Sequence, residues 1–262
     1  MTFSLQRGTA PMLVSMPHIG TEIPLDLQGG YVPRALGVED TDWHLARLYD
    51  FLPALGVSVL QPHYSRYVID LNRPPDDAPM YPGAANTELC PTRFFTGEAL
   101  YKAGQEPSPT EIKRRHAAHW LPYHDALQAE LARIKAVHGF ALLWDAHSIR
   151  SHIPWLFDGK LPDLNIGTAG GAAAATVISD AAASQVNGFT HAVNGRFKGG
   201  YITRYYGQPE RRVHAIQLEK CQSLYMNETA PFSYDEALAA NIQPILKRMV
   251  QASLRAAWAL YA

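Results

Sequence analysis

The feature that most constrains the fold is the apolar run Phe140-Ala141-Leu142-Leu143-Trp144, which ends abruptly in Asp145-Ala146-His147-Ser148. A continuous apolar run of strand length, with no polar alternation, fits a strand covered by helices on both faces. A second such strand, His214 to Leu218, ends in Glu219. Metal-competent side chains arriving where a buried strand leaves its sheet are hard to explain as packing. The carboxyl ends of strands in α/β sheets are where such folds carry their chemistry.

Other elements alternate around these two runs. Asp40-Thr41-Asp42 offers N-caps for a helix through Leu45, Leu48 and Leu52 that ends near Pro53 and Gly56. Val57 to Leu60 and Tyr67 to Leu71 read as short strands, the second stopped by Pro74-Pro75-Asp76-Asp77, which puts Asp70, Asn72 and Arg73 at a strand end. Thr110 to His138 carries a long helical pattern with a break or kink at Pro122 and a stop at Gly139. Ala172 to Gln185 reads as helix, with strand or turn from Phe189 onward, and Tyr234 to Leu260 as the last helix. Strands alternating with helices predict an α/β sandwich, and 262 residues with 47% hydrophobic content suit one domain spanning 1–262.

Bulk charge narrows the partners. A formal net charge of -1, from 23 basic and 24 acidic residues, provides no field for nucleic acid or an anionic membrane. Cys90 and Cys221 stand far apart in no metal or disulfide spacing, as two free thiols in a reducing cytoplasm would. The apolar patch at Met12 to Met16 is too brief for a secretory signal, and Phe140 to Trp144 is far short of a membrane span. A cytoplasmic protein is expected; oligomeric state is left open.

Four clusters carry candidate chemistry. Met16-Pro17-His18-Ile19-Gly20 presents a histidine in a turn after an apolar run, and on its own reads equally as a structural residue. Asp145-Ala146-His147-Ser148 offers two metal ligands at a strand end. In Asp40-Thr41-Asp42-Trp43-His44, helix capping accounts for one acidic residue but does not require two. Gln217-Leu218-Glu219 places a carboxylate on the end of an apolar strand, where partial burial would raise its pKa as a general base requires; a salt-bridged strand end is the plainer alternative. His116 and His119 share a helix face, but no HExxH pattern exists to make a second metal site of them. Ser148 lies in no G-x-S-x-G elbow, which argues against a serine hydrolase.

Taken in order, these clusters resemble the N-formylglutamate amidohydrolase family. The likeness rests on Met16 to Gly20, Ile69-Asp70-Leu71-Asn72-Arg73, Tyr81-Pro82-Gly83 with Thr87, Pro91 and Phe95-Thr96-Gly97, Asp145 to Ser148, Phe197-Lys198-Gly199-Gly200-Tyr201 and Gln217 to Glu219, extended by Tyr225-Met226. The family is similar to the zinc carboxypeptidases in fold and site layout, which implies a three-layer α/β/α sandwich around a mixed sheet.

The resemblance also implies roles. His18, His147 and Asp42 would hold one divalent metal ion, zinc foremost, with cobalt, iron, nickel or manganese compatible with the same ligands. Glu22 stands at i+4 from His18, where a carboxypeptidase-like motif has Glu at i+3, so Glu22 competes with Asp42 for the third position and Asp42 is favoured. Glu219 would be the base that activates water. The reaction would release formate and L-glutamate from N-formyl-L-glutamate, a small dicarboxylate, as the last step of histidine degradation. Arginine suits carboxylates because its fork binds them bidentately. Asn72 with Arg73 is therefore the first substrate-binding candidate and Arg204 the second, ahead of Arg211 and Arg93. Gly199-Gly200 would either bring backbone amides to an anion or only make a turn. The rival readings are another metal-dependent acyl-amino-acid hydrolase, a carboxypeptidase-like enzyme, and a non-catalytic metal- or anion-binding module.

Overall fold

The apolar run at 140–144 becomes the spine of a seven-stranded sheet. A computed structural model describes residues 2–80 and 87–262, so the Tyr81-Pro82-Gly83 motif lies outside the described residues. The central strand β4 (Ala141–Ile149) is buried throughout, and it pairs in parallel with β2 (Met12–Ser15) on one side and β7 (Val213–Cys221) on the other. Outside β2 lies β3 (Ser58–Pro62), parallel to it, and then the antiparallel edge strand β1 (Phe3–Gln6). Outside β7, β5 (Leu164–Gly167) runs antiparallel and carries β6 (His191–Val193) in parallel.

Alternation across the pleat sorts the side chains into two helix-covered faces. Met12, Val14, Leu142, Trp144, Ile216 and Leu218 pack against α2 (Leu45–Leu48), α5 (Thr176–Ala183) and the long closing helix α7 (Glu236–Tyr261). Leu13, Ala141, Leu143 and Ala215 pack against Tyr123, Leu127, Leu131 and Ile134 of α4 (Leu121–His138) and Ile202 of α6 (Tyr201–Tyr206). The result is the expected three-layer sandwich with a mixed sheet. By the same alternation Asp145, His147, Gln217 and Glu219 continue the face covered by α4 and α6. Two further helices, α1 (Leu25–Gln28) and α3 (Pro109–Arg115), lie outside these layers in sequence.

Local chemistry accounts for the helix ends. Asp235 caps α7 by accepting from the amides of Ala237 and Leu238, and Ser108 caps α3 by accepting from Glu111; each cap contributes about 1 kcal/mol. Gly139 ends α4 in the left-handed region at φ 78. The break expected at Pro122 falls just before it: α3 and α4 are joined by a π-turn at His116–Trp120, and Pro122 sits in the first turn of α4, where its missing N–H costs nothing.

Three expected elements differ. Tyr67 to Leu71 is no strand but a buried turn, in which Val68 N donates to Ser65 O, Arg73 N to Asp70 O and Asp70 N to Leu89 O. Its β-branched and aromatic residues are there to fill the core. The helix expected from Asp40 shrinks to Leu45–Leu48, because His44 before it adopts a left-handed φ of 60 and neither acidic residue caps it. Both catalytic-looking strands run past their apolar stretches, so Asp145, His147 and Glu219 lie within the ladder.

Gly20 explains one motif glycine. A Cβ there would stand 2.0 Å from the Tyr64 carbonyl oxygen, in a segment where Thr21 and Glu22 amides donate to His63 O. Gly20→Ala should therefore force the His18 turn away from residues 63–64 and destabilise the fold by about 1–3 kcal/mol, read as a lowered urea midpoint.

Candidate metal centre and active site

His147 and Glu219 face each other across the β4–β7 ladder, as do Asp145 and Gln217 one pleat earlier. The third residue, His18, is delivered by the turn after β2, whose Ser15 pairs with Asp145. Asp42 arrives on the loop before α2. Its amide donates to His18 O (3.0 Å), and its Oδ2 accepts from the Ser148 amide (3.1 Å). Residues just past β7 hold that loop from beyond: Gln222 Nε2 donates to Thr41 O, and the Tyr225 hydroxyl bridges Trp43 O and Ser148 Oγ.

These backbone ties bring three ligand atoms together. His18 Nδ1 and His147 Nδ1 stand 3.2 Å apart, and Asp42 Oδ2 lies 3.3 Å from His147 Nδ1 and 3.8 Å from His18 Nδ1. All three residues are buried, and their ligand atoms lie within 4.8 Å of one another. Both rings turn their Nε2 atoms outward to carboxylates. His18 Nε2 donates to Asp70 Oδ1 (2.7 Å), and His147 Nε2 lies 3.1 Å from Asp145 Oδ1. The Asp70 carboxylate orients the His18 ring with its Nδ1 inward, the outer-shell arrangement of metal-ligating histidines, while Asp145 stands behind His147 as a charge. Two imidazole nitrogens and one carboxylate oxygen, with a carboxylate behind each ring, form a donor set that fits one divalent cation.

The pKa shifts trace the same pattern. Burial pushes His147 down, but the charge and hydrogen-bonding reach of Asp145, then Asp42 and Glu219, outweigh it and raise the ring to about 10. His18 goes the other way, lowered by burial and by the Arg66 charge. Burial would raise Asp70, yet Arg66, 2.5 Å away, and His18 hold it well below the usual carboxylate range. Asp42 is likewise held down, against burial, by His147 and His18. Glu219 is raised to about 8, chiefly by burial and further by Asp42, and its buried Oε1 has no hydrogen-bond partner among the described residues.

A cleft opens over this cluster, lined in part by His18, Asp42, His147, Glu219, Asn72 and Arg73. Asn72 is held on every side. Its backbone amide donates to Asp70 Oδ1 (2.8 Å), its Oδ1 accepts from Ile202 N (2.8 Å), and its Nδ2 stands 3.0 Å from His147 Nε2. On either side of it, Leu71 O accepts from His124 Nε2 (2.9 Å) and Arg73 O from Trp120 Nε1 (3.1 Å). The π-turn thus sets the helix phase that aims Trp120 and His124 at this loop. Arg73 lines the cleft with Nε and Nη2 donating to Thr87 Oγ1.

The remaining expectations divide. Gly200 serves Asn72: a Cβ would stand 2.4 Å from Asn72 Nδ2, and the Gly200 amide is spent on Gln217 Oε1. Gly199 makes the turn at φ 113. Glu22 is exposed and outside the cluster, whereas Asp42 stands in it beside the two histidines. Arg204 is exposed, bonds Gly199 O through Nε and does not line the cleft, because the short helix α6 turns it outward. Cys90 and Cys221 are buried free thiols. Sequence reasoning missed three groups. Arg66 and Arg196 line the cleft, and buried Lys220 donates to His147 O (2.5 Å), its ammonium 5.0 Å from the Tyr49 ring. An i,i+4 spacing between Arg66 and Asp70 was the one signal available for the first.

Convergent ligand atoms, a desolvated carboxylate and an open cleft above them fit the class of metal-assisted hydrolases. Comparison with known proteins narrows that class. The N-formylglutamate amidohydrolase family model matches residues 10–226. Among curated relatives, the N-formylglutamate deformylase of Pseudomonas aeruginosa is 50% identical over 258 residues, covering 97% of this chain and 96% of the relative. That of Pseudomonas putida is 51% identical with the same coverage. The crystal structure of an N-formylglutamate amidohydrolase from Ralstonia eutropha JMP134 shares the fold at TM-score 0.75 and 24% identity, covering 98% of this chain and 97% of that one. The chain belongs to the N-formylglutamate amidohydrolase family.

The titration pattern yields a prediction for the metal-free protein. With His147 raised to about 10 and Glu219 to about 8, both carry protons at pH 7, whereas a ligating imidazole must be neutral and a nearby dication favours an ionised carboxylate. Zinc titrated into weakly buffered metal-free protein should release on the order of one proton per ion or more, and apparent affinity should rise with pH above 7. A pH-independent affinity with no proton release would exclude this cluster as the ligand set. Asp70→Asn should weaken zinc binding about 10- to 100-fold in chelator competition, since it replaces the charged acceptor behind His18 with a neutral, weaker one.

Proposed function

We propose that the chain, as a single domain, hydrolyses N-formyl-L-glutamate to formate and L-glutamate, with one divalent ion, zinc foremost, held by His18, Asp42 and His147 and with Glu219 as general base. The observation that carries the reading is the meeting of three buried ligand atoms within 4.8 Å beside a carboxylate whose Oε1 has no partner among the described residues. Relatives named N-formylglutamate deformylase, half identical along nearly the full chain, support the substrate. The products suit the end of a histidine-degradation route.

An amide is a poor electrophile, so its hydrolysis needs a strong nucleophile and relief of charge on the carbonyl oxygen. When bound, the ion supplies Lewis acidity, bringing the pKa of water to about 7 and polarising the formyl carbonyl. Glu219 takes the proton from the attacking water through Oε1, for which no donor among the described residues competes. A raised pKa makes Glu219 the stronger base toward water, and the proton it takes can still pass to the more basic leaving amine nitrogen. Beside the ligands, Asn72 and Arg73 bind the carboxylate nearest the scissile bond. Arg73 is oriented by Thr87, and Asn72 is fixed by the contacts around it. Burial of the cluster excludes bulk water from these exchanges.

Formate release by purified protein tests the reading, with a chelator and zinc add-back, N-formylaspartate and N-acetylglutamate as comparison substrates, and the Glu219→Gln variant. Turnover should be selective for N-formylglutamate and chelator-sensitive. Glu219→Gln should lower kcat by about 100- to 10,000-fold while zinc stays bound. A zinc-loaded protein that cleaves N-acetylglutamate but not N-formylglutamate would make it a related acyl hydrolase. One that binds zinc and releases nothing would make it a binding module.

A further inference from the structure

The guanidinium groups of the cleft are not equally committed. Arg66 is buried, spends its charge on Asp70 and lies over the Phe95 ring, 4.6 Å from its centroid. Arg73 lies in the floor against Thr87. Arg196 is exposed at the mouth, on the segment that joins β6 to the Gly199-Gly200 turn. Its Nη2 donates to Leu156 O, which fixes the side chain. Among the described residues no carboxylate pairs with it, and the Leu156 carbonyl, bound through Nη2, is its one hydrogen-bond partner. Beside it the cleft wall is apolar, formed by Leu156, Phe157 and Phe197, which strengthens any charge interaction made there.

This inference rests on the function proposed above. With the formyl group at the ligand cluster, the α-carboxylate is close to the amide nitrogen and so falls to Asn72 and Arg73, which abut His147. The γ-carboxylate lies further out along the side chain, and of the three arginines that line the cleft Arg196 is the exposed one. We propose that Arg196 receives this γ-carboxylate and sets the preference for dicarboxylate N-formyl amino acids over their neutral counterparts. A positioned guanidinium with two donor nitrogens uncommitted matches a carboxylate in charge and in hydrogen-bonding geometry.

The test compares N-formyl-L-glutamate with N-formyl-L-glutamine, which differs only in that terminal group, in zinc-loaded wild type, Arg196→Met and Arg196→Lys. The ratio of the two kcat/KM values should fall about 30-fold in Arg196→Met, mostly through KM for N-formylglutamate, with Arg196→Lys between. Calorimetric binding of glutarate should weaken selectively relative to glutaramate. Equal losses on both substrates, or an unchanged ratio, would overturn the assignment while leaving the deformylase reading intact. If wild type releases no formate, the functional reading fails, and the glutarate and glutaramate comparison still decides for or against Arg196.

Discussion

Everything at the site depends on the parallel pairing of β4 with β7. That ladder puts His147 opposite Glu219 and Asp145 opposite Gln217, all on the face toward α4 and α6. A slip of one residue in either strand would turn its chemistry-bearing side chains to the opposite face and bring apolar ones into the cleft. What prevents the slip is the apolar run itself. Leu142 and Trp144 pack on one face while Ala141 and Leu143 pack on the other, so a shifted register would put large side chains against the face shaped for small ones. The same residues that make the strand buried therefore fix where His147 and Glu219 emerge.

Burying so many carboxylates together has a cost that the fold offsets locally. Asp42, Asp70, Asp145 and Glu219 are all shielded from solvent, and an isolated buried charge would neutralise itself. Arg66 neutralises Asp70, protonated His147 sits between Asp42 and Asp145, and Glu219 stays protonated to about pH 8. In the metal-free protein these protons stand in for positive charge. The cluster is balanced by exchangeable charge at its centre and by fixed charge, Arg66, at its edge. That division is what a site built to take up a cation requires.

Much of this was legible in the sequence, and the exceptions have physical causes. Strand ends announced His147 and Glu219 because polar residues interrupted apolar runs, although the strands themselves continue through them. His18 and Asp42 followed from the order of motifs, since neither is distinctive locally. The turn at 67–71 was misread because its tyrosine, valine, isoleucine and leucine look like a strand whenever they fill a core, and only the backbone pairings to Ser65 and Leu89 tell the two apart. Arg204 stands exposed on α6, where a shift of one residue, about 100° around the helix, decides whether a side chain faces a cleft or solvent. Lys220, Trp120 and His124 act on residues remote in sequence, and no spacing rule reports such contacts.

The glycine motif shows how far a pattern can be read before its cause is known. Gly199-Gly200 has the look of an anion-binding turn, yet the Gly200 amide is already committed to Gln217, and the missing Cβ leaves room for Asn72. The turn's contribution is thus steric and indirect: it lets Asn72 press against His147 while Tyr201 N and Ile202 N hold Asn72 from the start of α6. Because this turn continues directly from the segment bearing Arg196, one stretch of chain braces the floor of the cleft and furnishes a cation at its mouth. A substrate anchored at both ends would be held by Asn72 and Arg73 on one segment and by Arg196 on another, and the turn whose Tyr201 and Ile202 amides grip Asn72 ties the two together.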